Sequence, residues 1–161
     1  MLTKLLLGVV MLFAVGCSYR PDITASKSVS FILKTPDLRI ADVGFIRSNA
    51  SYINVQVFTA GRLVLDLQLE ETICLNGTCF DKPTFNRYFL KDEHYPDMME
   101  ALLRFEPIYE KRGLTKTTQG FTQQVHVADR QIHYEVNDEG MSYRDEEKRV
   151  LIKIRKIKGN G

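Results

Sequence analysis

Apolar and polar side chains alternate with period two through most of this chain, and that period commits it to β-sheet. Ile53, Val55 and Val57 share one face of the run 52–58, with Asn54 and Gln56 on the other. After Thr59-Ala60-Gly61, Leu63, Leu65, Leu67 and Leu69 alternate with Asp66, Gln68 and Glu70. Further on, Phe121, Gln123, Val125 and Val127 alternate with Thr122, Gln124 and His126, and Ile132, Tyr134 and Val136 with Gln131, His133 and Glu135. One apolar and one polar face per strand is the pattern of half-buried antiparallel strands. Strands are also expected over 28–34, 38–47, 141–144 and 149–157, with a weak one over 114–118. Gly44 inside the second predicts a bulge or bend.

Turn chemistry sets the pairing. Asn76-Gly77 is the preferred pair for a two-residue type I′ hairpin turn. It sets Leu75 opposite Thr78, and Cys74 opposite Cys79 at the closer, non-hydrogen-bonded pair, where a cross-strand disulfide fits. A turn at Asp129-Arg130 would pair Val127 with Ile132 and Val125 with Tyr134, placing both apolar sets on one face. It would also set His126 opposite His133.

Between 81 and 106 the period changes to that of a helix. Asp81 is a cap candidate, Pro83 suits a first turn, and Phe85 and Phe89 are spaced i, i+4. A second helix begins near Tyr95-Pro96, with Met98, Ala101, Leu102 and Phe105 as one apolar stripe and Pro107 at its end. The fold class expected is therefore α+β, mainly β, with a helical insertion packed on one face of an antiparallel sheet.

Residues 1–16 have the layout of an export signal. Lys4 precedes an apolar run, 5–15, too short to span a bilayer, and small residues then lead into Cys17. Ala14-Val15-Gly16-Cys17 resembles the bacterial lipobox, which implies acylation of Cys17 and cleavage before it. Several acyl chains make such attachment stable. The resemblance implies a chain held on the cell envelope by covalent lipid. Ser18 and Tyr19, with no Asp after the cysteine, imply the outer membrane, facing the periplasm. Residues 17–27 then form the anchor and tether, and 28–161 a single β-rich domain. With Cys17 acylated, Cys74 and Cys79 remain as a pair in an oxidising compartment.

The chain carries 22 Lys and Arg against 20 Asp and Glu, and a signal peptide would remove only Lys4 from this balance. So even a charge offers no basic footprint for nucleic acid. No G-x-S-x-G elbow, H-E-x-x-H helix or phosphate-binding glycine loop occurs. Catalytic residues, a metal and any cofactor beyond the lipid are not expected. Two facing histidines make an incomplete ligand set, and His94 reads as a helix-boundary residue. Glu70-Glu71 and Asp145-Glu146-Glu147 read as solvated strand ends and turns. Lys148, Arg149, Lys153, Arg155, Lys156 and Lys158 read as a solvated edge strand guarded against aggregation, or as a contact for anionic lipid headgroups.

The strand–turn–strand 52–70, the Asn-Gly hairpin, the helix over 96–105 with its following proline and the closing strand 150–157, all behind a lipobox, resemble the LolA/LolB-type lipoprotein carrier and receptor family. That likeness implies a curved, half-barrel sheet wrapped around helices, with an apolar interior for acyl chains. Leu63, Leu65, Leu67, Met98, Leu102 and Phe105 are then the ligand-binding candidates. The implied function is a non-catalytic module binding acyl chains or lipoproteins. A structural or assembly lipoprotein, partnered by envelope proteins, is the alternative.

Overall fold

The computed structural model describes residues 22–158, so the expected signal peptide and the expected acylation site Cys17 lie outside the described residues. The elements run β1 (Ala25–Lys34), β2 (Arg39–Ser48), β3 (Ile53–Thr59), β4 (Arg62–Leu69), β5 (Ile73–Leu75), β6 (Thr78–Phe80), α1 (Lys82–Phe89), α2 (Met98–Arg104), a 3-10 turn (Tyr109–Lys111), β7 (Leu114–Thr117), β8 (Gly120–Val127), β9 (Arg130–Asn137), β10 (Gly140–Asp145) and β11 (Val150–Lys156). All eleven strands form one open antiparallel sheet in the order β6-β5-β4-β3-β2-β1-β11-β10-β9-β8-β7. The expected fold class holds.

This order explains where the helices lie. The first and last strands pair at the centre, through Val29–Lys156, Phe31–Ile154 and Leu33–Ile152. The strands before and after the insertion, β6 and β7, are the two edges. Residues 81–113 must therefore cross the sheet from one edge to the other. Their apolar side chains join one core with the inward strand residues, among them Val29, Leu33, Val55, Leu67, Phe85, Met98, Leu102, Ile132 and Ile152. Full burial of each such side chain contributes about 1.5–3 kcal/mol.

Local signals set the helix ends. The Asp81 carboxylate accepts the Thr84 N–H at 2.8 Å, and Pro83 occupies the first turn of α1. Phe85 and Phe89 are buried and stacked at 5.0 Å. Helix α2 closes on Phe105 in the left-handed region, with the Glu106 N–H returning to the Ala101 carbonyl. Pro107 then prevents continuation. The buried side of α2 is Met98, Met99, Leu102 and Leu103, with Ala101 and Phe105 only half-buried. Phe105 leaves the expected stripe because a cap residue no longer follows helical phase.

The Asn-Gly hairpin has the expected register, Cys74–Cys79 and Leu75–Thr78, and the two cysteines are joined by a disulfide. Three other expectations are corrected. The β8–β9 turn is Ala128-Asp129, so Val125 pairs with Ile132 and Gln123 with Tyr134. The slip is two residues, which leaves every side chain on its expected face. It separates the histidines, however: His126 faces Gln131 and His133 faces Gln124. Secondly, β4 carries an extra residue where its register against β3 shifts, Val57 pairing with Leu65 but Phe58 with Leu63. Such a bulge reverses the alternation, so Leu65, Leu67 and Leu69 are buried while Leu63 faces outward, 47% exposed. Thirdly, the basic C-terminal strand β11 is central, between β1 and β10, and not an edge.

Gly44 marks a close approach of two strands, without a register shift in its own strand. A Cβ there would lie 2.2 Å from the Gln56 carbonyl oxygen on β3. Gly44→Ala is expected to cost about 1–3 kcal/mol, the usual range for overpacking, measured as a fall in the urea midpoint. An unchanged midpoint would mean that β2 and β3 can separate freely.

Candidate functional site

The sheet's inner face and the insertion that covers it make the candidate site. Leu65, Leu67, Met98 and Leu102 are each at most 2% exposed and belong to the same core cluster. Phe105 is half-buried at the end of α2, with the Lys27 ammonium 5.4 Å from its ring centroid. Five of the six ligand candidates thus lie in or against the contact layer between sheet and insertion, and Leu63 lies outside it.

At the seam between the insertion and the β2–β3 turn is an open groove of about 830 Å³. Tyr95, Ala101, Pro107 and Tyr109 supply its less polar lining, and Asp97, Glu100, Arg104, Glu106, Glu110 and Arg112 its charges. Leu102 and Ile108, the chain neighbours of the lining residues Ala101 and Pro107, are fully buried. The groove is therefore amphipathic and borders the apolar core.

Besides its buried apolar side chains, the insertion is held to the sheet by polar latches around its perimeter. Arg104 donates to the Asn49 and Ala50 carbonyls, both at 3.0 Å, and to Glu100 one helical turn back. Lys82 joins α1 to α2 through Asp97 at 2.5 Å. Lys91 pairs with Asp37 in the β1–β2 turn. Gln123, 1% exposed on the inner face of β8, accepts the Ile108 N–H and donates to the Ile108 and Arg112 carbonyls. Between those two residues, Tyr109, Glu110 and Lys111 all have positive φ, at 45°, 54° and 66°. Left-handed backbone costs roughly 1–2 kcal/mol per non-glycine residue, so this turn stands because Gln123 and the core hold both of its ends.

The strongest latch is buried. Arg130, 4% exposed, pairs with the fully buried Asp145 at 2.6 Å and with Asp92 at 2.8 Å. Lys148 reaches Asp92 at 3.4 Å. Asp145 thus corrects the expectation of a solvated acidic cluster, while Glu146 and Glu147 are exposed as expected. His94, also buried, lies beside this network, with Nδ1 hydrogen-bonded to the Tyr109 hydroxyl at 2.5 Å. Burial, then the cations Arg130 and Lys148, push its pKa down to about 4 against the pull of Asp92. Burial, with neighbouring negative charge adding to it, raises the Tyr95 phenol to about 12, and burial followed by Asp145 raises Tyr143 as well.

Sequence reasoning set Gln123 in the apolar phase of its strand but missed Arg130 and Asp145 as inward residues, although the phase announces all three. Gln123 alternates with Phe121 and Val125, Arg130 with Ile132 and Tyr134, and Asp145 with Met141 and Tyr143. A polar residue in phase with an apolar face needs a buried partner. Among the described residues, no helix is long and apolar enough to cross a membrane. No protein-family model matches this chain, and no curated protein matches it in sequence.

Proposed function

We propose that this chain is a lipid-anchored lipoprotein of the bacterial cell envelope whose domain is a non-catalytic binding module for acyl chains. The observation that carries this reading is an open sheet whose apolar face is covered only by a helical insertion, with an amphipathic groove along the seam. A sheet-on-sheet sandwich would bury that face permanently. A helical cover held in part by perimeter latches can lift, and an acyl chain entering at Tyr95 and Ala101 would reach the core cluster that contains Met98, Leu102, Leu65 and Leu67. Loss of core contacts on opening is offset when the incoming chain buries about 0.8 kcal/mol per methylene. Cys17 and the signal sequence before it supply the anchor in this reading.

A second reading, a structural or assembly lipoprotein, draws on the filled state of the same interior: its leucines and methionines are already packed against one another.

Native mass spectrometry separates the two. The domain is exported to a bacterial envelope without its acyl anchor and released without detergent. The expected result is an adduct of fatty-acyl mass, lost when Leu67 or Leu102 is replaced by a bulkier Phe that leaves the fold intact by circular dichroism. An unliganded mass with a co-purifying envelope protein would overturn the binding reading in favour of assembly.

A further inference from the structure

Outside the half-barrel, the bulge in β4 has a consequence. By turning Leu63 outward it completes a row across five strands. Arg155, Ser30, Val43, Phe58 and Leu63 stand side by side on β11, β1, β2, β3 and β4. Val43 is 52% exposed and Leu63 47%. Phe45, in the next row, is also exposed and meets Phe58 edge-on at 6.1 Å. Ile32 and Ala41 extend the patch on its other side. An aromatic and aliphatic surface on the solvent side of a strand pair is not explained by folding, because outward positions gain nothing from the core.

The charges around the patch are mostly basic. Lys34, Arg39, Arg47, Lys153 and Arg155 occupy outward positions on β1, β2 and β11, and Arg62 sits at the β3–β4 hairpin tip; Asp66 is the acidic side chain among the outward residues of these strands. Arg47 extends over the Phe45 ring, 5.4 Å from its centroid. Apolar side chains ringed by cations suit a surface that is hydrocarbon inside and anionic at its face.

The point where the chain enters the fold agrees. Asn49 donates to the Asp22 carbonyl and the Thr24 N–H to Ser48, which fixes the entry at the end of β2. Four residues lie between Cys17 and Asp22, and the five steps span at most about 18 Å. Phe45 stands three residues before Ser48 on β2, about 10 Å along the strand. An acylated Cys17 therefore holds the end of β2 within reach of the bilayer that takes its lipid, and the exposed apolar row selects the outward face.

We infer that the outward face of β2–β4, with Val43, Phe45, Phe58 and Leu63 at its centre, docks on an anionic lipid bilayer, so that the domain rests on the membrane with its helical insertion turned away. The inference rests on the lipid-anchor reading of Cys17. It also gives the basic β11 a place, as the headgroup contact beside the apolar row.

The chain contains no tryptophan, so a single introduced one reports its own position. Full-length acylated Val43→Trp and Leu63→Trp are reconstituted in vesicles of phosphatidylcholine and phosphatidylglycerol carrying brominated acyl chains. Tyr88→Trp, on the exposed side of α1, is the control. The emission of Trp at 43 and 63 is expected to fall about twofold or more, because a docked apolar face settles ~5–10 Å into the headgroup–acyl boundary. Tyr88→Trp should keep its emission, and leaving out phosphatidylglycerol should weaken the quenching at 43. Chain that floats with the vesicles but is not quenched at 43 or 63 overturns the docking surface and leaves the anchor intact. Unquenched, blue-shifted emission from a chain that cross-links to itself assigns the face to a second copy, which also overturns it. Chain that fails to float overturns the anchor reading and the docking with it.

Discussion

Replacing Arg130 by leucine is expected to lower the stability of the domain by roughly 3–5 kcal/mol, the cost of leaving a buried charge unpaired. Arg130 is 4% exposed and Asp145 fully buried, and they meet at 2.6 Å. Without the guanidinium, Asp145 keeps only the Lys148 N–H at 3.0 Å. Asp92 loses its nearer partner as well and keeps only Lys148 at 3.4 Å, so the start of the loop between α1 and α2 is held more weakly to the sheet. Urea unfolding of the wild type, Arg130→Leu and the double variant Arg130→Leu with Asp145→Leu measures this. The double variant should recover most of the loss, because two apolar side chains can replace a buried pair at little cost. A single variant within about 1 kcal/mol of wild type would place the network among ordinary surface pairs. Arg87–Glu93, with side chains 58% and 74% exposed, is such a pair and serves as the comparison.

The same residues show how far the sequence could be read. Strand positions were legible because alternation is a local property: Val55, Leu67 and Ile132 each sit on the face that their neighbours imply. The Cys74–Cys79 register was legible because Asn76-Gly77 dictates a two-residue turn, and both residues have positive φ. The β8–β9 register was not, because Ala128 takes a left-handed φ of 54° without any residue type that announces it. Leu63 was misplaced for a different reason. A bulge adds one residue to a strand, and neither Leu63 nor Val64 differs in type from its neighbours. The strand order was legible only in outline, since the pairing of β1 with β11 joins residues more than a hundred positions apart. The central place of β11 follows from that pairing alone. Of the candidate site, the apolar lining was legible and the latches were not. Arg104 reaching Asn49 and Gln123 holding Ile108 depend on how the insertion lands on the sheet, which alternation does not encode.

Acid should loosen the insertion before it unfolds the sheet, and His94 is the reason. Unfolded, its pKa is about 6.5; folded, burial and then Arg130 and Lys148 hold it down to about 4. Between those two values the unfolded chain takes the proton and the folded one does not. Its contribution is fully present above pH 6.5 and is lost as the pH falls towards 4, about 3 kcal/mol in all. Asp92 behaves in the same sense but in a lower window. Burial raises its pKa, yet the Glu93 N–H with Arg130 and Lys148 outweighs that, so its contribution is lost only below the ordinary carboxylate range. The groups facing the imidazole are Tyr109 from the left-handed turn, Arg130 from β9, Lys148 from the β10–β11 turn, and Asp92 from its own loop. Protonation adds a third cation to a site that holds one carboxylate within its reach, and strains the loop between α1 and α2. His94→Leu should flatten the stability profile between pH 6.5 and 4 in urea titrations, leaving the steeper fall at lower pH. A variant with an unchanged slope would assign the acid loss to the carboxylates. In Arg130→Leu, His94 loses its nearest buried cation, so its pKa should rise and the acid loss attributable to it should shrink, and that coupling ties the histidine to the latch.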